Sequence, residues 1–400
     1  MPQVQGRFIA VHNISEVDRA AWEDLGSRAI EPNPLFEPAC LVPTARYLTG
    51  GREIELLVAE EDGRFYGCLP VLPVARWHRL PLRTFTTDVR RMTYLGTPLV
   101  DPSRDAEAVR KMLEALTSRR RSSGQRLLEL KWLQAGGRVD EVFRQGFAEL
   151  GLSVHVTESF DRPLVVRKTD RSYGAHFSSK YRGVLNRRRR QLGRELGGDV
   201  TVENCTERPG IIEAFIEMEA RGYKGHAGVA LTSMPGEPEY FRDMCETFAS
   251  RDRLQVLSLE AAGRVVAMQL SVGGRDGLFA LKTTYDESLS AFGPGVLLQL
   301  GAVEYFHDCT DAKWIDSCTY EGNELLLRIH PDRRAIVSYL VSLGGTLDGG
   351  ILKALPALRS LRASARSHLD RRRKSRPAET GPTSPEADEV PHSGTPSAQD

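Results

Sequence analysis

Gly293-Pro294-Gly295 stands between a strand-like run, Phe279–Tyr285, and an amphipathic stretch in which Val296, Leu300 and Val303 recur on one stripe. A glycine loop entering a helix leaves backbone N–H groups unpaired at the positive end of the helix dipole. That makes it a ready site for an anion such as a pyrophosphate. Pro294 suits the first turn, where its missing N–H costs nothing. Ordinary strand-to-helix turns also carry two glycines, so the loop alone leaves the structural explanation open. A second feature is basic: Lys180, Arg182, Arg187, Arg188, Arg189, Arg190 and Arg194 crowd one segment. At helical spacing Val184, Leu185, Arg188 and Leu192 share its inner face, and the other arginines point outward. The segment reads either as a solvated helix face or as a phosphate-binding one, a task that suits the planar guanidinium fork. Few aromatics interleave there, which argues against sequence-specific RNA reading.

The elements that position these residues form a weak internal repeat. Glu55–Ala59, Asp62-Gly63-Arg64 and Phe65–Val71 read as strand, tight turn, strand. Leu254–Leu259, Ala262-Gly263-Arg264 and Val265–Leu270 read the same way. A helical pattern precedes each hairpin; before the second, Ile212, Phe215, Ile216 and Glu219 share one face. After each comes a loop, a helix and a strand: Tyr94–Pro98, Ala106–Arg119 and Arg126–Trp132 in the first half, Ala291–Gly295, Val296–His307 and Lys313–Ser317 in the second. The order of elements predicts an α/β protein with mixed sheets, built from two tandem modules. The first spans residues 1–165 and the second 166–345, with Asp161–Val166 as a crossing strand near the boundary. A helical basic extension is expected at 346–376, and a disordered Pro/Ser/Thr/Glu-rich tail at 377–400.

The whole chain narrows the field. Its formal net charge is +1, so it is no general polyanion binder and no DNA-binding role is expected. No run of about eighteen apolar residues suggests a membrane span, and Met1–Ala10 has no secretory-signal pattern. Cys40, Cys68, Cys205, Cys245, Cys309 and Cys318 form no CxxC pair, which argues against a zinc or disulfide scaffold and for a reducing, cytoplasmic setting. No metal is expected.

Several segments together resemble the FemAB-like, BioF2-like branch of the GNAT acyltransferase superfamily, which includes proteins similar to a cellulose-biosynthesis (CelD-like) acetyltransferase. They are Phe177-Ser-Ser-Lys-Tyr-Arg-Gly-Val-Leu-Asn-Arg-Arg-Arg-Arg190, Glu219-Ala-Arg-Gly-Tyr-Lys-Gly225, Leu281-Lys-Thr-Thr-Tyr-Asp286, the Gly293–Gly295 loop, Trp314-Ile-Asp-Ser-Cys318 and His330-Pro-Asp-Arg-Arg334. The resemblance runs over roughly 171–334. The first half is similar more loosely, through Asn33-Pro-Leu-Phe-Glu-Pro38, and reads as a degenerate GNAT-like module. The resemblance implies transfer of an acyl group from acetyl-CoA or another acyl-CoA to an amine acceptor by direct attack. The donor pyrophosphate would lie on Gly293, Pro294, Gly295 and Val296, with Arg187 and Arg188 nearby. Ser290 stands where the general GNAT loop has Gln or Arg, a departure that weakens the inference to CoA.

In that frame Asp316 orients or deprotonates the amine, or is a loop carboxylate. Tyr285 protonates the leaving thiolate, or is a packed strand-end tyrosine. Lys282, on an apolar strand, needs a partner, for which Asp316 or a ligand phosphate is expected, or it snorkels. Glu219, Tyr223 and Lys224 bind the acceptor, or Glu219 and Lys224 pair with each other. The backbone donors for the thioester oxygen are expected on Val265–Val272. A covalent mechanism at Cys318 would need a histidine base, with His307 and His330 nearest in sequence. Two further readings differ in kind: an aminoacyl-tRNA-dependent, Fem-type transferase suggested by the arginine cluster, and a catalytically inactive scaffold in polysaccharide or envelope biosynthesis.

Overall fold

The computed structural model describes residues 3–78, 80–89, 93–168, 177–344, 349, 350 and 352. The basic extension and the tail expected from the sequence lie, except for Gly349, Gly350 and Leu352, outside the described residues. Residues Met1–Leu352 form one compact unit.

The first half runs β1 (Gln5–Ala10), α1 (Glu16–Arg28), α2 (Pro38–Tyr47), β2 (Glu55–Glu61), β3 (Arg64–Val74), β4 (Thr84–Thr86), β5 (Leu99–Val100), α3 (Asp105–Ser123), β6 (Leu127–Gln134), α4 (Arg138–Glu149) and β7 (Val154–Val166). The second runs α5 (Ser179–Leu196), β8 (Val200–Asn204), α6 (Ile211–Arg221), α7 (Tyr223–His226), α8 (Glu237–Ala249), β9 (Leu254–Ala261), β10 (Arg264–Gly273), β11 (Gly277–Tyr285), α9 (Pro294–Cys309), β12 (Trp314–Asp316), α10 (Glu324–Ile329) and β13 (Asp332–Ser342). The mixed α/β class and the tandem repetition expected from the sequence are observed.

Both hairpins close through two-residue turns whose central residues have positive φ. These are Asp62 (50°) with Gly63 (80°), and Ala262 (49°) with Gly263 (74°). That backbone matches the right-handed twist of the paired strands. The turns fix register, with Glu61 opposite Arg64 and Ala261 opposite Arg264. Side chains of β2 then alternate between two cores: Leu57 and Ala59 pack on one face, Leu56 and Val58 on the other. Both faces are covered, so these strands read as continuous apolar runs instead of alternating ones.

The strands form one sheet, ordered β1-β2-β3-β4-β6-β13-β7-β12-β11-β10-β9-β8, with β5 beside β3. Its centre is an exchange. The last strand of the second half, β13, lies against β6 of the first, and the last strand of the first, β7, lies against β12 of the second. The two exchanged strands pair with each other from Asp332–Leu164 to Val341–Val154. Opening the halves would break the longest ladder in the molecule.

Candidate active site

The parallel pair β11–β12 holds for only three residues, Gly277–Trp314, Leu278–Ile315 and Phe279–Asp316. Beyond them β11 continues to Tyr285, paired only with β10. The strands diverge around a cleft of about 570 Å³. Ala280–Thr283 and Tyr285 line one wall and Ser317–Tyr320 the other. Gly295 and Gln299 of α9 also line it, together with Tyr223, Lys224, Leu231, Glu237 and, from the first half, Tyr94. A bulge helps to aim the first wall. Leu270 faces Lys282 and Ser271 faces Ala280, which leaves Leu281 as an extra residue. Successive β11 residues thereby reach the cleft instead of alternate ones. The expectation that Val265–Val272 supplies the open backbone edge is corrected. That segment is β10, hydrogen-bonded on one side to β9 and on the other to β11, so its donors are spent within the sheet. The open edge is that of β11.

At the end of β11 a short turn leads to Gly293, which caps α9 with φ 65° and ψ 51°. A side chain there would be strained and would also meet Arg188, whose Nη1 lies 3.1 Å from an ideal Cβ position. The glycine thus lets a guanidinium from α5 reach the helix start. Val296 and Leu297 both donate to the Gly293 carbonyl, at 3.1 and 3.2 Å. The N–H of Gly295, at the second helical position, is among those an α-helix leaves over at its start. A Cβ on Gly295 would lie 3.3 Å from the Tyr285 ring. The structure therefore brings Gly293, Pro294, Gly295, Val296, Arg188 and Tyr285 together. Arg187 is exposed, about 100° round the helix from Arg188. Arg189 is tied to the Val200 carbonyl at 3.0 and 2.6 Å.

Behind the cleft lies an ionic cluster. Glu219 sits on the apolar face of α6 with a fully buried side chain. Its Oε1 accepts from Lys282 Nζ at 2.8 Å and Lys224 Nζ at 2.9 Å, and its Oε2 accepts from the Leu231 N–H at 2.9 Å. Lys224 also donates to the Thr283 carbonyl at 2.8 Å. Burial pushes the Glu219 carboxyl up, but the two ammonium groups outweigh it and hold it below the usual carboxylate range. Burial, together with Lys224, draws the Lys282 ammonium below its ordinary value, and Glu219 opposes that only in part. The partner of Lys282 is therefore Glu219, not Asp316. Tyr285 is half-buried, and burial plus the neighbouring Glu287 carboxylate push its phenol up. Tyr223 is exposed and donates its N–H to Glu287 at 3.1 Å.

Asp316 is not brought to the cleft. It is fully buried, with Oδ2 at 2.7 Å from Arg334 Nη1 and 3.6 Å from Arg162 Nη1, and Oδ1 accepting from the Cys318 N–H at 2.7 Å. A carboxylate clamped between two buried guanidinium groups joins β12, β13 and β7, and its oxygens have no path to an amine in the cleft. Cys318 lines the cleft, but burial pushes its thiol well up, away from thiolate chemistry. Sequence reasoning missed Glu237, Ser317 and Gln299. Gln299 is locked by Gln269 at 2.7 Å and Thr283 at 3.1 Å. Glu237 follows Pro-Gly at a helix start, where an acid has an ordinary explanation in the helix dipole, so no sequence signal marks it.

Diverging parallel strands with a glycine-opened helix at the mouth give the chain a GNAT-like fold. Residues 179–324 match the family model described as "Acetyltransferase (GNAT) domain". Among solved structures, FemX is similar with a TM-score of 0.54 at 10% identity, over 83% of this chain and 96% of that one. The C-terminal domain of a putative lysylphosphatidylglycerol synthetase from Agrobacterium fabrum is similar with a TM-score of 0.50 at 11% identity, over 85% and 96%. At such identities these likenesses establish the fold. No curated protein sequence matches the chain.

Proposed function

We propose that the protein is an N-acyltransferase that moves an acyl group from acyl-CoA, acetyl-CoA in the simplest case, to an amine. The observation that carries this reading is the convergence at one end of the cleft of the Gly293–Gly295 helix start, the Arg188 guanidinium and the Tyr285 phenol. Gly295 offers its backbone N–H, and the start of α9 its dipole, to the pyrophosphate, while the Val296 N–H turns back to the Gly293 carbonyl; Arg188 adds a charge-assisted fork. The missing side chain of Gly295 leaves room beside Tyr285 for the pantetheine arm. The thioester then enters between β11 and Ser317–Thr319, where the open backbone edge of β11 faces its carbonyl. The amine attacks that carbonyl. As the C–S bond breaks, Tyr285, kept protonated by its raised pKa, gives its proton to the departing sulfur, and the proton shed by the amine nitrogen restores the phenol. Lys282, Glu219 and Lys224 hold the β11 wall to α6 and α7. In this reading residues 1–165 and 166–345 are the two modules, the second carries the donor site, and the protein works in the cytoplasm, where acyl-CoA is supplied. The mechanism calls for no metal. No described helix is long and apolar enough to cross a membrane.

Calorimetric titration with CoA and acetyl-CoA tests the donor assignment. The full chain binds both, and Gly295→Trp, which fills the space beside Tyr285, loses both while keeping its melting temperature. Absence of binding at millimolar ligand refutes the reading.

A second reading, an aminoacyl-tRNA donor, has one observation in its favour: Lys180, Arg182, Arg187, Arg190 and Arg194 are exposed along α5, next to the donor loop. Such a row suits a phosphate backbone. Activity that survives ribonuclease removes this alternative.

A further inference from the structure

Three residues back along β11 from Tyr285, the cleft changes character. Lys282 there shares a small recess with Leu231, Glu237 and, from the first half, Tyr94. Among the described residues lining the cleft, Glu237 is the one carboxylate. Its side chain belongs to a residue only 6% exposed, and its Oε2, shut off from solvent, has no hydrogen-bond partner among the described residues. Neither lining cation is hydrogen-bonded to it: Lys224 and Lys282 both donate to Glu219, and Lys282 feels Glu237 only as a neighbouring charge. A buried carboxylate left without a donor is unfavourable unless a ligand completes it.

The first half holds this carboxylate in place. Gly236, the cap of α8, has φ 80°, and a Cβ there would lie 2.2 Å from the Tyr47 carbonyl at the end of α2. Arg46 of α2 and Asp243 of α8 pair at 2.9 Å. The start of α8, and Glu237 with it, is set by contact with the other half. Tyr94 adds an aromatic wall that continues through Tyr320, 6.2 Å away between centroids, to Trp132 at 5.1 Å. A carboxylate beside aromatic faces is a recognition site for an ammonium group carried on an apolar or ring-shaped body.

We propose that Glu237 and Tyr94 form a composite acceptor subsite, built by both halves of the chain, which takes the ammonium group of a primary amine. This rests on the transferase reading for its meaning but can be tested without it. The full-length protein, with no donor present, is titrated by saturation-transfer NMR with phenethylamine and with its neutral counterpart 2-phenylethanol, each to 10 mM. A separate CoA titration reports on the donor site alone.

The amine is expected to bind at least tenfold more tightly than the alcohol. Glu237→Gln should erase that preference while leaving alcohol binding, CoA binding and the melting temperature unchanged. Tyr94→Ala should weaken both ligands. Wild-type amine affinity in Glu237→Gln, equal binding of amine and alcohol, or no amine binding at 10 mM would each overturn the proposal. Amine binding without CoA binding would leave this subsite standing and remove the donor assignment. CoA binding without amine binding would do the reverse.

Discussion

Replacing Glu219 by Gln removes the carboxylate that two ammonium groups bond behind the β11 wall, at 2.8 and 2.9 Å, while conserving shape. Lys282 is 9% exposed and Glu219 fully buried, so this pair behaves as a buried ion pair. Removing one partner of such a pair costs ~3–5 kcal/mol. Lys224 is 36% exposed, and solvent screening makes its share small. Unfolding entropies of roughly 2.1 cal/mol/K per residue over about 350 residues give ~0.7 kcal/mol/K, so the variant should melt about 4–7 °C below the wild type. The deficit has a pH signature. The Glu219 carboxyl titrates below its ordinary value in the folded state, so its contribution is present above the unfolded pKa and is lost as pH falls through the folded one. Lys282 is also shifted down, so its charge disappears below the ordinary lysine pKa, and above that point the carboxylate has less to hold. The gap between wild type and variant should therefore be widest near neutral pH and should narrow towards both acid and alkali. Thermal melts of the two proteins across pH 3–11 measure it. Glu219→Gln combined with Lys282→Met should recover part of the loss, because no unpaired charge is then buried. A gap that is absent, or that does not change with pH, would refute the assignment of this cluster as an ionic tie.

Three further outcomes are expected. Arg188→Ala should weaken CoA about tenfold, as loss of one charge-assisted phosphate contact does, and should flatten the salt dependence of binding; an unchanged affinity would detach α5 from the donor site. Tyr285→Phe should lower kcat about a hundredfold with donor affinity intact, as removal of a general acid does; because the phenol is pushed up, any alkaline loss of wild-type activity from Tyr285 should come above the ordinary tyrosine range. Asp316→Asn, which leaves Arg162 and Arg334 buried without a carboxylate, should lower stability by about 3–5 kcal/mol and leave the pH–rate profile of the residual folded enzyme unchanged; a shifted profile would return Asp316 to the chemistry.

What the sequence disclosed was local. Asp62-Gly63 and Ala262-Gly263 marked hairpins because two-residue turns demand positive φ, and Gly293-Pro294-Gly295 marked a helix start because glycine and proline suit its first positions. Leu185 and Leu192 were recognisable as the inner face of α5 from spacing alone, and they are the residues buried there. What it withheld was long-range. Glu219 and Lys282 meet across 63 residues of sequence, and no local pattern couples a helix carboxylate to a strand ammonium. Asp316 looked like a reactive strand-end acid because its guanidinium partners are delivered by β13 and β7. Those are the exchanged strands, and their apolar patterns would fit either half of the sheet equally well, so the exchange leaves no trace in periodicity.

The repeat also explains why one cleft is open and its counterpart is not. In the first half β4 and β6 pair in parallel over three residues, Thr84–Leu127, Phe85–Leu128 and Thr86–Glu129, as β11 and β12 do in the second. The third position on the far strand is a buried carboxylate in both: Glu129, held by Trp77 at 2.7 Å and Thr86 at 2.6 Å, and Asp316, held by arginines. That parallel favours a role for Asp316 in the sheet over one in the reaction. Beyond the ladder the halves part. Thr87 donates to the Glu129 carbonyl at 3.0 Å, Gly96 donates to the Trp132 carbonyl at 2.9 Å, and Thr97 Oγ1 accepts from the Gln134 N–H at 3.0 Å, so the chain itself occupies the edge of β6. Any side chain at position 96 would run into the Lys131 carbonyl, 1.9 Å from an ideal Cβ. The following helix, α3, opens after Arg104 with Asp105 and Glu107 in its first turn, not with the glycine cap of α9. A segment that closes the first cleft and the tyrosine beside it, Tyr94, which lines the second, belong to the same loop. One loop thus both lies along the edge of β6 and supplies a side chain to the second cleft.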